Sequence, residues 1–400
     1  MTMISSRQAA HRLGVKVETL YAYVSRGLLT SHRDGAHRSS VFDEREVERL
    51  ARRGRPRAAS RTPTLDIDIA TAITSTHSAS GGYELRYRGH AAADLVGTAS
   101  FEQVAELLWT GELPPAPPTW TGTSVESPGQ RMMDRVRAAA ALAGAHPAAT
   151  DSLDAEGVAA QGGWLIATVV GSLPPAGDGR VPRLHLGDHA YRSTVAGRLW
   201  TRLSPRRASP AAVQAINGAL ILLADHELAA STLAARVAAS TRAGTHGVVA
   251  AGLGAVSGRL HGGESLRVRR LLAIADAEGA AAAVDAALER YGRLPGFGQV
   301  IYPDGDPRAP LLRALVDEAW GGAPALRVVD EVAAEARRRN AAPPNIDFAL
   351  ATLGRAAGMA DDAAEAIFAV ARIAGWLAHA LEEYGERPLR FRPKATYIGP

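Results

Sequence analysis

Polar side chains occur at five places in a stretch of chain that is otherwise rich in alanine and leucine. They are His226 in "ADHELAAST", His261 in "GRLHGGES", Gln299 and Arg308 in "GFGQVIYPDGDPR", Asp347 in "PPNIDFAL", and Arg372 and Arg392 in "IFAVARIAGW" and "LRFRPKATYIG". Because polar groups are costly to bury without partners, their presence among apolar helices points to a shared purpose.

Brought together by a folded body, two histidines, one aspartate and three arginines would form a cationic cleft. The planar fork of arginine holds a carboxylate by two hydrogen bonds, and histidine and aspartate supply an acid and a base. The residues therefore predict a site for a small di- or tricarboxylate, with proton-transfer groups beside it.

Each residue also has a purely structural interpretation. His226, predicted to lie inside a helix of alanines and leucines, fits a core position. Asp347 fits the cap of the helix that "FALATLG" begins, and Gly262-Gly263 fits the end of one helix and the start of another. Arg308 fits a surface ion pair of little consequence.

The elements that would position these groups are helices. From residue 65 onward, apolar residues recur at spacings of three and four between glycine and proline breaks, and strand-like alternation is scarce. The sequence contains no fixed-period repeat, no glycine-rich phosphate loop and no spacing typical of metal ligands. We therefore predict a mainly α body without a metal site.

The first residues have a different organisation. "ISSRQAAHRLGV" predicts a short helix capped at Ser5/Ser6, and "KVETLYAYVSRG" predicts a second helix ended by Gly27. "LLTSHRDGAHRSSVF" predicts a two-stranded wing with its tip at Asp34-Gly35, followed by a helix in "DEREVERLARR". The segment 3–53 resembles the winged helix-turn-helix of MerR-like regulators and phage excisionases.

That resemblance implies binding of duplex DNA by residues 1–53, with the second helix in the major groove. The candidate contacts are Lys16, Thr19, Tyr21, Tyr23 and Arg26 on the helix, and His32, Arg33, His37 and Arg38 on the wing. Residues 1–61 hold 13 Arg/Lys against 6 Asp/Glu, a net charge of +7, whereas the remainder carries −3. The alternative is a small helical domain that docks on the body or on a protein partner.

Residues 54–64 are predicted to be a basic linker. Arg53-Gly54-Arg55-Pro56 is similar to the core of minor-groove AT-hooks, although a solvated tether explains the same composition. The chain has no cysteine, which excludes disulfides, thiolate nucleophiles and cysteine zinc sites. With no signal-peptide layout and no run of about 20 apolar residues, we expect a cytoplasmic protein without a membrane partner.

From about residue 83 to 400 the chain resembles the citrate synthase family. "YRGHAAADLVGTASFEQVAELLWTGELP", "ADHELAASTLAARV", "LHGGES", "GFGQVIYPDGDPR", "NIDF" and "RFRPKATYIG" stand in the family's order and spacing. The resemblance implies a helical homodimer that condenses acetyl-CoA, a co-substrate, with oxaloacetate and needs no bound cofactor. It also implies a large domain of residues 65–260 and 349–400, and a small domain of residues 261–348.

The resemblance implies catalytic roles for two residues. His261 matches the histidine that hydrogen-bonds the acetyl carbonyl as it becomes an enol, and Asp347 matches the base that removes the methyl proton. The pairing has a chemical reason, since a thioester methyl group is a very weak acid and its carbonyl oxygen must be stabilised while charge builds there. Domain closure would exclude water from the reactive enol.

The resemblance also implies substrate-binding roles. His226 matches an oxaloacetate-binding histidine, and Arg308 and Arg372 match carboxylate-binding arginines. Arg392 matches an arginine that reaches into the neighbouring subunit's site, so a complete site would need the dimer.

Gln299 departs from the family pattern, because it replaces the histidine that polarises the keto carbonyl. An amide donates a hydrogen bond but carries no positive charge. Replacing a charged donor by a neutral one would raise the activation barrier of the condensation by on the order of 2 to 4 kcal/mol. Val300 and Pro303 stand where the family has basic residues, in a stretch that lies near the CoA phosphates in the family. Two further departures are Ala229, where the family commonly has asparagine, and "GGES", where the family has "GGAN".

Two functions therefore stay open at this point. The first is a citrate or methylcitrate synthase with an added regulatory domain, acting on acetyl-CoA or another acyl-CoA and on oxaloacetate or a related 2-oxo acid. The second is a metabolite-sensing, DNA-binding transcription regulator that keeps the synthase body as a ligand sensor.

Overall fold

The structure is a computed structural model of the chain. It describes residues 3–13, 15, 17–25, 29–33, 40–52, 68–77, 82–150, 152–177, 193–258, 262–393 and 397. The chain divides into two compact units, Met1–Ala70 and Thr71–Pro400.

The first unit combines three short helices with a three-stranded antiparallel sheet of order β1-β3-β2. In chain order its elements are β1 Met3–Ser5, α1 Ser6–Leu13, α2 Val17–Ser25, β2 Ser31–Arg33, β3 Ser40–Asp43 and α3 Glu44–Arg52. The predicted helices and the pairing of the wing strands are confirmed. Gly27 and the wing tip lie outside the described residues.

Ser5 caps α1 as predicted. The Gln8 backbone N–H donates to Ser5 Oγ at 3.4 Å, while Gln8 Oε1 accepts the Ser5 backbone N–H at 2.9 Å. This reciprocal arrangement satisfies two N–H groups at the helix start. The third strand was not predicted: β1 is only three residues long, and Ile4 pairs with Phe42 inside the small core of the unit.

The second unit is mainly helical, as predicted. Its strands are β4 Thr74–His77, β5 Tyr83–Tyr87 and β6 His90–Ala91. Its helices begin with α4 Ala92–Thr98, α5 Phe101–Thr110, α6 Met132–Gly144, α7 Ala155–Ser172, α8 Val195–Leu203 and α9 Pro210–Leu223. They continue with α10 Ala230–Ser240, α11 Thr245–Val256, α12 Glu264–Glu278, α13 Ala280–Tyr291, α14 Arg308–Trp320, α15 Pro324–Arg338, α16 Ile346–Ala356 and α17 Ala363–Gly385.

The β4-β5-β6 sheet is a feature that the helical pattern did not predict. Its strands are short, and the register of β4 against β5 shifts between Ser75 and His77, so no alternation marks them in the sequence. The sheet is anchored to the helical body through Tyr87, whose buried hydroxyl donates to the carbonyl of Ile221 at 2.8 Å.

The described residues of the second unit form two hydrophobic cores. The larger surrounds α17 and includes Trp200, Trp376 and residues of α14 such as Leu312. The smaller is built from α12, α13, α15 and part of α16, with Leu271 and Val329 among its members. Helix α16 contributes residues to both cores. The division into a large and a small domain, with a boundary at residue 348, stays a prediction.

Helix α17 is the central element of the larger core. Within the described residues it is the one helix long and apolar enough to cross a bilayer, but 89% of its most apolar window is buried inside the unit. A helix that is apolar on all sides is expected at the centre of a large helical body. Its hydropathy is therefore accounted for by packing.

Candidate active site

A cavity of about 290 Å³ in the second unit brings five of the predicted site residues together. Its polar lining consists of His226, Glu227, Ser265, Gln299, Arg308, Asp347 and Arg372. Its apolar lining consists of Leu228, Ala229, Gly262, Ile301, Ile346 and Phe368. The cavity is large enough for a small organic acid and lies near the low end of the range for ligand sites.

His226 reaches this cavity from a loop and not from a helix, which corrects the prediction that it lies inside one. Helix α9 ends at Leu223 and α10 begins at Ala230. Between them Glu227 adopts φ +49°, a left-handed conformation that is uncommon outside glycine and breaks the helix. The Thr76 hydroxyl donates to Glu227 Oε1 at 2.7 Å and holds this turn.

The same loop needs a glycine on the helix that packs against it. The Gly375 N–H donates to the Ala224 carbonyl at 3.0 Å. A Cβ at residue 375 would lie 2.4 Å from that carbonyl oxygen and 2.5 Å from Asp225 Oδ1. Only glycine permits this approach, so Gly375 is a determinant of the His226 position that the sequence did not reveal.

The surroundings of His226 favour its uncharged form. Burial, together with the positive charges of Arg308 and Arg372, lowers the pKa of His226 well below its ordinary value. Its Nε2 lies 3.0 Å from the hydroxyl of Tyr302, whose own pKa is raised by burial. Tyr302 thus stays protonated and buried against the imidazole, which fixes the ring as a neutral hydrogen-bonding group.

Arg308 and Arg372 are both buried, with 3% and 2% of their surfaces exposed. Arg308 pairs with the buried Asp306, so the interpretation of a surface ion pair is wrong. Burial alone would lower the pKa of Arg308, but Asp306 more than offsets it and the pKa is raised. Arg372 donates from Nε to the Leu223 carbonyl at 2.9 Å, and its guanidinium lies 4.8 Å from the centre of the Phe368 ring.

Asp347 sits in the first turn of α16, but the cap of that helix is Asn345. The Asn345 side chain accepts the backbone N–H groups of Asp347 and Phe348, at 3.0 and 3.4 Å. The interpretation of Asp347 as a helix cap is therefore wrong. Its carboxylate faces the cavity instead.

The pKa of Asp347 is raised to about 7, chiefly by burial and then by the negative charge of Glu264. Its side chain is only partly covered, because the cavity reaches it. A carboxyl group that titrates near neutral pH is poised to act as a general base.

Hydrogen bonds join the loop that carries Gln299 to the start of the helix that carries Asp347. Asn345 donates its backbone N–H to the Gly296 carbonyl at 2.8 Å and its side-chain amide to the Gly298 carbonyl at 2.8 Å. Gly296 has φ +80°, so the turn before Gln299 requires glycine. Among the described residues the Gln299 side chain has no hydrogen-bond partner, and its amide is available to a ligand.

Glu264 is the glutamate of "GGES" and the first residue of α12, and it links that helix to these loops. Its carboxylate accepts two hydrogen bonds from Arg293, at 2.6 and 2.7 Å, one from Arg267 at 2.9 Å, and the Gly296 N–H at 3.1 Å. Burial opposes its ionisation, but these donors lower the pKa of Glu264. A fixed negative charge thus stands near Asp347.

Two predicted residues are not part of this cavity as described. His261 lies outside the described residues, between Gly258 and Gly262. Arg392 is exposed and does not line the cavity; its segment is anchored by Arg390, which forms two hydrogen bonds to the buried Glu383, at 2.7 and 2.6 Å. In the described part of the chain no group of three or more histidine or acidic side chains is placed to hold a metal ion.

In the first unit, Thr19 and Tyr21 are exposed on α2, and His32 is exposed on β2. Tyr23 is half-buried against the core of the unit, which limits its reach. The backbone of Arg33 belongs to β2, but its side chain and residues Lys16, Arg26, His37 and Arg38 lie outside the described residues, as does Arg53-Gly54-Arg55-Pro56.

The model of the family described as citrate synthase, C-terminal domain, matches residues 67–394. The chain belongs to the citrate synthase family. The model of the MerR HTH family of regulatory proteins matches residues 4–53, so a MerR-type helix-turn-helix precedes the citrate synthase region.

Relatives of this chain include both citrate and methylcitrate synthases. It is 33% identical to citrate synthase 2 of Bacillus subtilis, over 85% of this chain and 96% of that protein. It is 30% identical to 2-methylcitrate synthase 2 of Corynebacterium glutamicum, over 79% of this chain and 88% of that protein.

Solved structures agree with the citrate synthase fold. The citrate synthase of Pyrobaculum aerophilum matches with a TM-score of 0.65 and 26% identity, covering 84% of this chain and 91% of that one. The citrate synthase of Thermoplasma acidophilum, solved as a ternary complex with carboxymethyl coenzyme A and oxaloacetate, matches in fold with a TM-score of 0.64 and 24% identity, covering 84% and 95%.

Proposed function

We propose that the protein condenses an acyl-CoA with oxaloacetate or a related 2-oxo acid to give citrate or a homologue. The observation that carries the proposal is the carboxyl of Asp347, with a pKa of about 7, in one cavity with two buried arginines. Such a cavity offers cations for a dicarboxylate and a base for a carbon acid.

In this mechanism Arg308 and Arg372 bind the carboxylates of the 2-oxo acid, and neutral His226 hydrogen-bonds it. Asp347 takes a proton from the carbon next to the thioester carbonyl. The resulting enol or enolate carbon attacks the keto carbon, and the keto oxygen becomes an alkoxide that takes up a proton. Water then cleaves the thioester to release CoA and the tricarboxylate.

Gln299 is available to hydrogen-bond the keto oxygen. Its side-chain amide has no partner among the described residues, and it lines the same cavity as Asp347. As a neutral donor it stabilises a developing alkoxide less than a charged imidazolium would. The family resemblance assigns the donor on the thioester side to His261.

A thiol-release assay with acetyl-CoA and with propionyl-CoA, each with oxaloacetate, tests the proposal and identifies the acyl group. Asp347→Asn should abolish release, whereas Asp317→Asn, which breaks an exposed ion pair on α14, should leave it intact. Release that survives Asp347→Asn would contradict the assignment of the base.

We propose further that the protein is a cytoplasmic homodimer in which Arg392 completes the partner's site. An experiment that mixes two inactive variants distinguishes an Arg392 that acts in the partner's site from one that acts in the site of its own chain. Arg392→Ala and Asp347→Asn are each inactive alone; re-assembled together, they should recover about a quarter of wild-type activity, because half of the dimers contain one intact site. No recovery from demonstrably mixed dimers would contradict the exchange.

A second function is favoured by the MerR-type unit, which exposes Thr19 and Tyr21 on α2. We propose that residues 1–53 bind duplex DNA and that the synthase body acts as a sensor of its substrates. Binding should weaken steeply with salt and vanish when residues 1–61 are deleted. Oxaloacetate and acyl-CoA should change DNA affinity if the sensor function holds; equal affinity with and without them would contradict it.

A further inference from the structure

A series of hydrogen-bonded polar groups lies along the contact of α10 with α17. It connects the loop that carries His226 to the segment that carries Arg392. We call it the buried polar chain, and it consists of Asp225, His379, Arg236, Glu383 and Arg390. Its first four side chains are each at most 1% exposed, and none of the five lines the active-site cavity.

Asp225 is the end of the buried polar chain nearest the active site, and it directly precedes His226. Its Oδ2 accepts hydrogen bonds from the Thr74 hydroxyl and from His379 Nε2, the latter at 3.3 Å. Its backbone carbonyl accepts the hydroxyl of Tyr87 at 3.1 Å. The backbone that leads into His226 is therefore held from β4, β5 and α17.

His379 joins Asp225 to Arg236. Since an arginine has no hydrogen-bond acceptor, Arg236 Nη1 must donate to His379 Nδ1, which lies 2.8 Å away. This contact favours the tautomer with the proton on Nε2, and Nε2 then donates to Asp225. The imidazole thus uses one nitrogen towards each neighbour, and neither neighbour can move without breaking a buried hydrogen bond.

Arg236 extends the connection to the last turns of α17. It donates from Nε to Glu383 at 3.2 Å and from Nη1 to Glu382 at 2.8 Å. One guanidinium therefore contacts three partners, two carboxylates and the imidazole of His379. A planar group with several fixed donors suits such a junction.

The far end of the buried polar chain holds the segment after α17. Glu383 accepts the two hydrogen bonds from Arg390 described above. The Leu389 N–H donates to the carbonyl of Ser240, the last residue of α10, at 2.9 Å. The backbone is thereby fixed on α10 and α17 two residues before Arg392.

Stability alone does not account for so many buried charges. Ionisable groups are costly to desolvate, and a buried network that is replaced by well-packed apolar residues often gives a protein that is no less stable. A hydrogen-bonded network does favour one arrangement of the elements that it joins. Here those elements carry two groups assigned to the same kind of substrate, His226 and Arg392.

We infer that the buried polar chain positions both of these groups, with His379 and Arg236 as positioning residues for the 2-oxo acid. The inference rests on the proposed function, which assigns His226 to the site of its own subunit and Arg392 to the site of the partner. A change in the middle of the chain should therefore disturb the loop at one end and the segment at the other.

Hydrogen exchange of the full-length protein tests this link without any ligand. Arg236→Lys keeps a positive charge beside Glu383 but lacks the fork that reaches three partners. Amide exchange should become faster by about tenfold or more in both residues 224–229 and residues 386–393. The matched control is Arg355→Lys on α16, which alters a two-bond pair with Asp276 and should leave both segments as in wild type.

Two substitutions of His379 separate hydrogen bonding from packing. The amide of His379→Gln can accept from Arg236 and donate to Asp225, so exchange in both segments should stay close to wild type. His379→Met fills similar space without a comparable donor or acceptor, and exchange should rise in both segments. Melting curves check that each variant is folded, and Arg236→Lys decides the matter if His379→Met is not.

Faster exchange at one end only, or unchanged exchange at both ends in Arg236→Lys, would overturn the inference. In the condensation assay, Arg236→Lys should raise KM for oxaloacetate about tenfold with little change in kcat, because loosened binding groups affect the bound substrate and the transition state alike. An active variant with unchanged KM would also overturn it. If wild type shows no condensation but exchange rises at both ends, the proposed function is rejected and the link between the two ends stands.

Discussion

The carboxylate of Asp306 holds the guanidinium of Arg308 through two hydrogen bonds, of 2.9 Å to Nε and 2.8 Å to Nη2. The same carboxylate accepts the backbone N–H of Ile346 at 3.0 Å, at the first residue of α16. One buried anion thus joins an arginine assigned to the substrate and the helix that carries the assigned base, Asp347.

Replacing Asp306 should therefore affect both stability and the site. Asp306→Asn leaves the charge of Arg308 buried without a counter-ion, at a cost of about 3 to 5 kcal/mol. Oxaloacetate should raise the melting temperature of the variant more than that of wild type, because its carboxylate supplies the missing anion. Thermal melts with and without oxaloacetate measure both effects.

Asp276→Asn is the matched control for that experiment. Asp276 also forms two short hydrogen bonds to one arginine, Arg355, at 2.6 and 2.7 Å, but its side chain is 44% exposed. An exposed pair contributes about 1 kcal/mol or less. Equal losses from the two variants would show that the burial of Asp306 has no energetic consequence.

The pH dependence of condensation should report the ionisation of Asp347. A base must be deprotonated, so kcat/KM should fall about tenfold per pH unit below pH 7 and level off above it. Glu264→Gln should move the midpoint to lower pH, because the negative charge that helps to raise the pKa of Asp347 is removed. A flat profile between pH 5.5 and 8, about the range accessible to the assay, would contradict the role.

The same carboxyl should destabilise the folded protein at neutral pH. Its folded pKa of about 7 lies above the unfolded value, so the folded state favours the protonated form and stability is lost as pH rises from about 4 to 7. Asp347→Asn removes this loss. The variant should be more stable than wild type by up to about 4 kcal/mol at pH 8, with a smaller difference at pH 5.

Asn345→Ala provides the contrast, since it deletes the cap of α16. It should destabilise by at least about 1 kcal/mol at every pH, because the bond from the Asn345 amide to the Gly298 carbonyl is lost together with the cap. Denaturant unfolding at pH 5 and pH 8 distinguishes the two neighbours. If Asp347→Asn lowered the free energy of unfolding equally at both pH values, Asp347 would have a structural role and no raised pKa.

Gln299→His should restore polarisation of the keto carbonyl. We expect kcat for oxaloacetate condensation to rise tenfold or more, about 1.4 kcal/mol or greater, since a stronger donor helps most where negative charge develops. Gln299→Met, of similar size but without a donor, should lower kcat instead. If Gln299→His leaves condensation undetectable while oxaloacetate binds, the proposed enzyme function is contradicted and the proposed sensor function is favoured.

Gly375→Ala should disturb the site without touching the substrate. The added methyl group meets the Ala224 carbonyl and Asp225, so the loop that carries His226 must move. We expect a raised KM for oxaloacetate together with a lower melting temperature. Gly385→Ala, at the end of the same helix and with open space around its Cβ, should change neither; a similar KM effect there would contradict the steric argument.

The residues that line the cavity were predictable from the sequence, whereas the loop conformations and hydrogen bonds that position them were not. Arg308, Arg372, Asp347 and Gln299 were identified because polar groups stand out against apolar helices and recur in an ordered set of motifs. The loop conformation of His226 was missed because alanines and leucines continue on both sides of it. The left-handed Glu227 that interrupts them has no signature in residue type.

Contacts between distant segments were also beyond the sequence. Asn345 as the cap of α16 was accessible from local pattern, because asparagine before a helix favours that role. The partnerships of Asp306 with Ile346, and of Tyr302 with His226, join residues 40 and 76 positions apart. They depend on tertiary packing that no local pattern encodes.

The central position of α17 has a consequence for synthesis of the chain. It packs against α5, α6, α7, α9, α10 and α11, all of which leave the ribosome before it does. These helices also pack against one another, but the faces they turn toward α17 stay uncovered until it emerges. The body therefore completes its core late, after the N-terminal unit with its own core has had time to fold. A nascent chain arrested before α17 would thus carry a folded N-terminal unit together with an incomplete, aggregation-prone helical body.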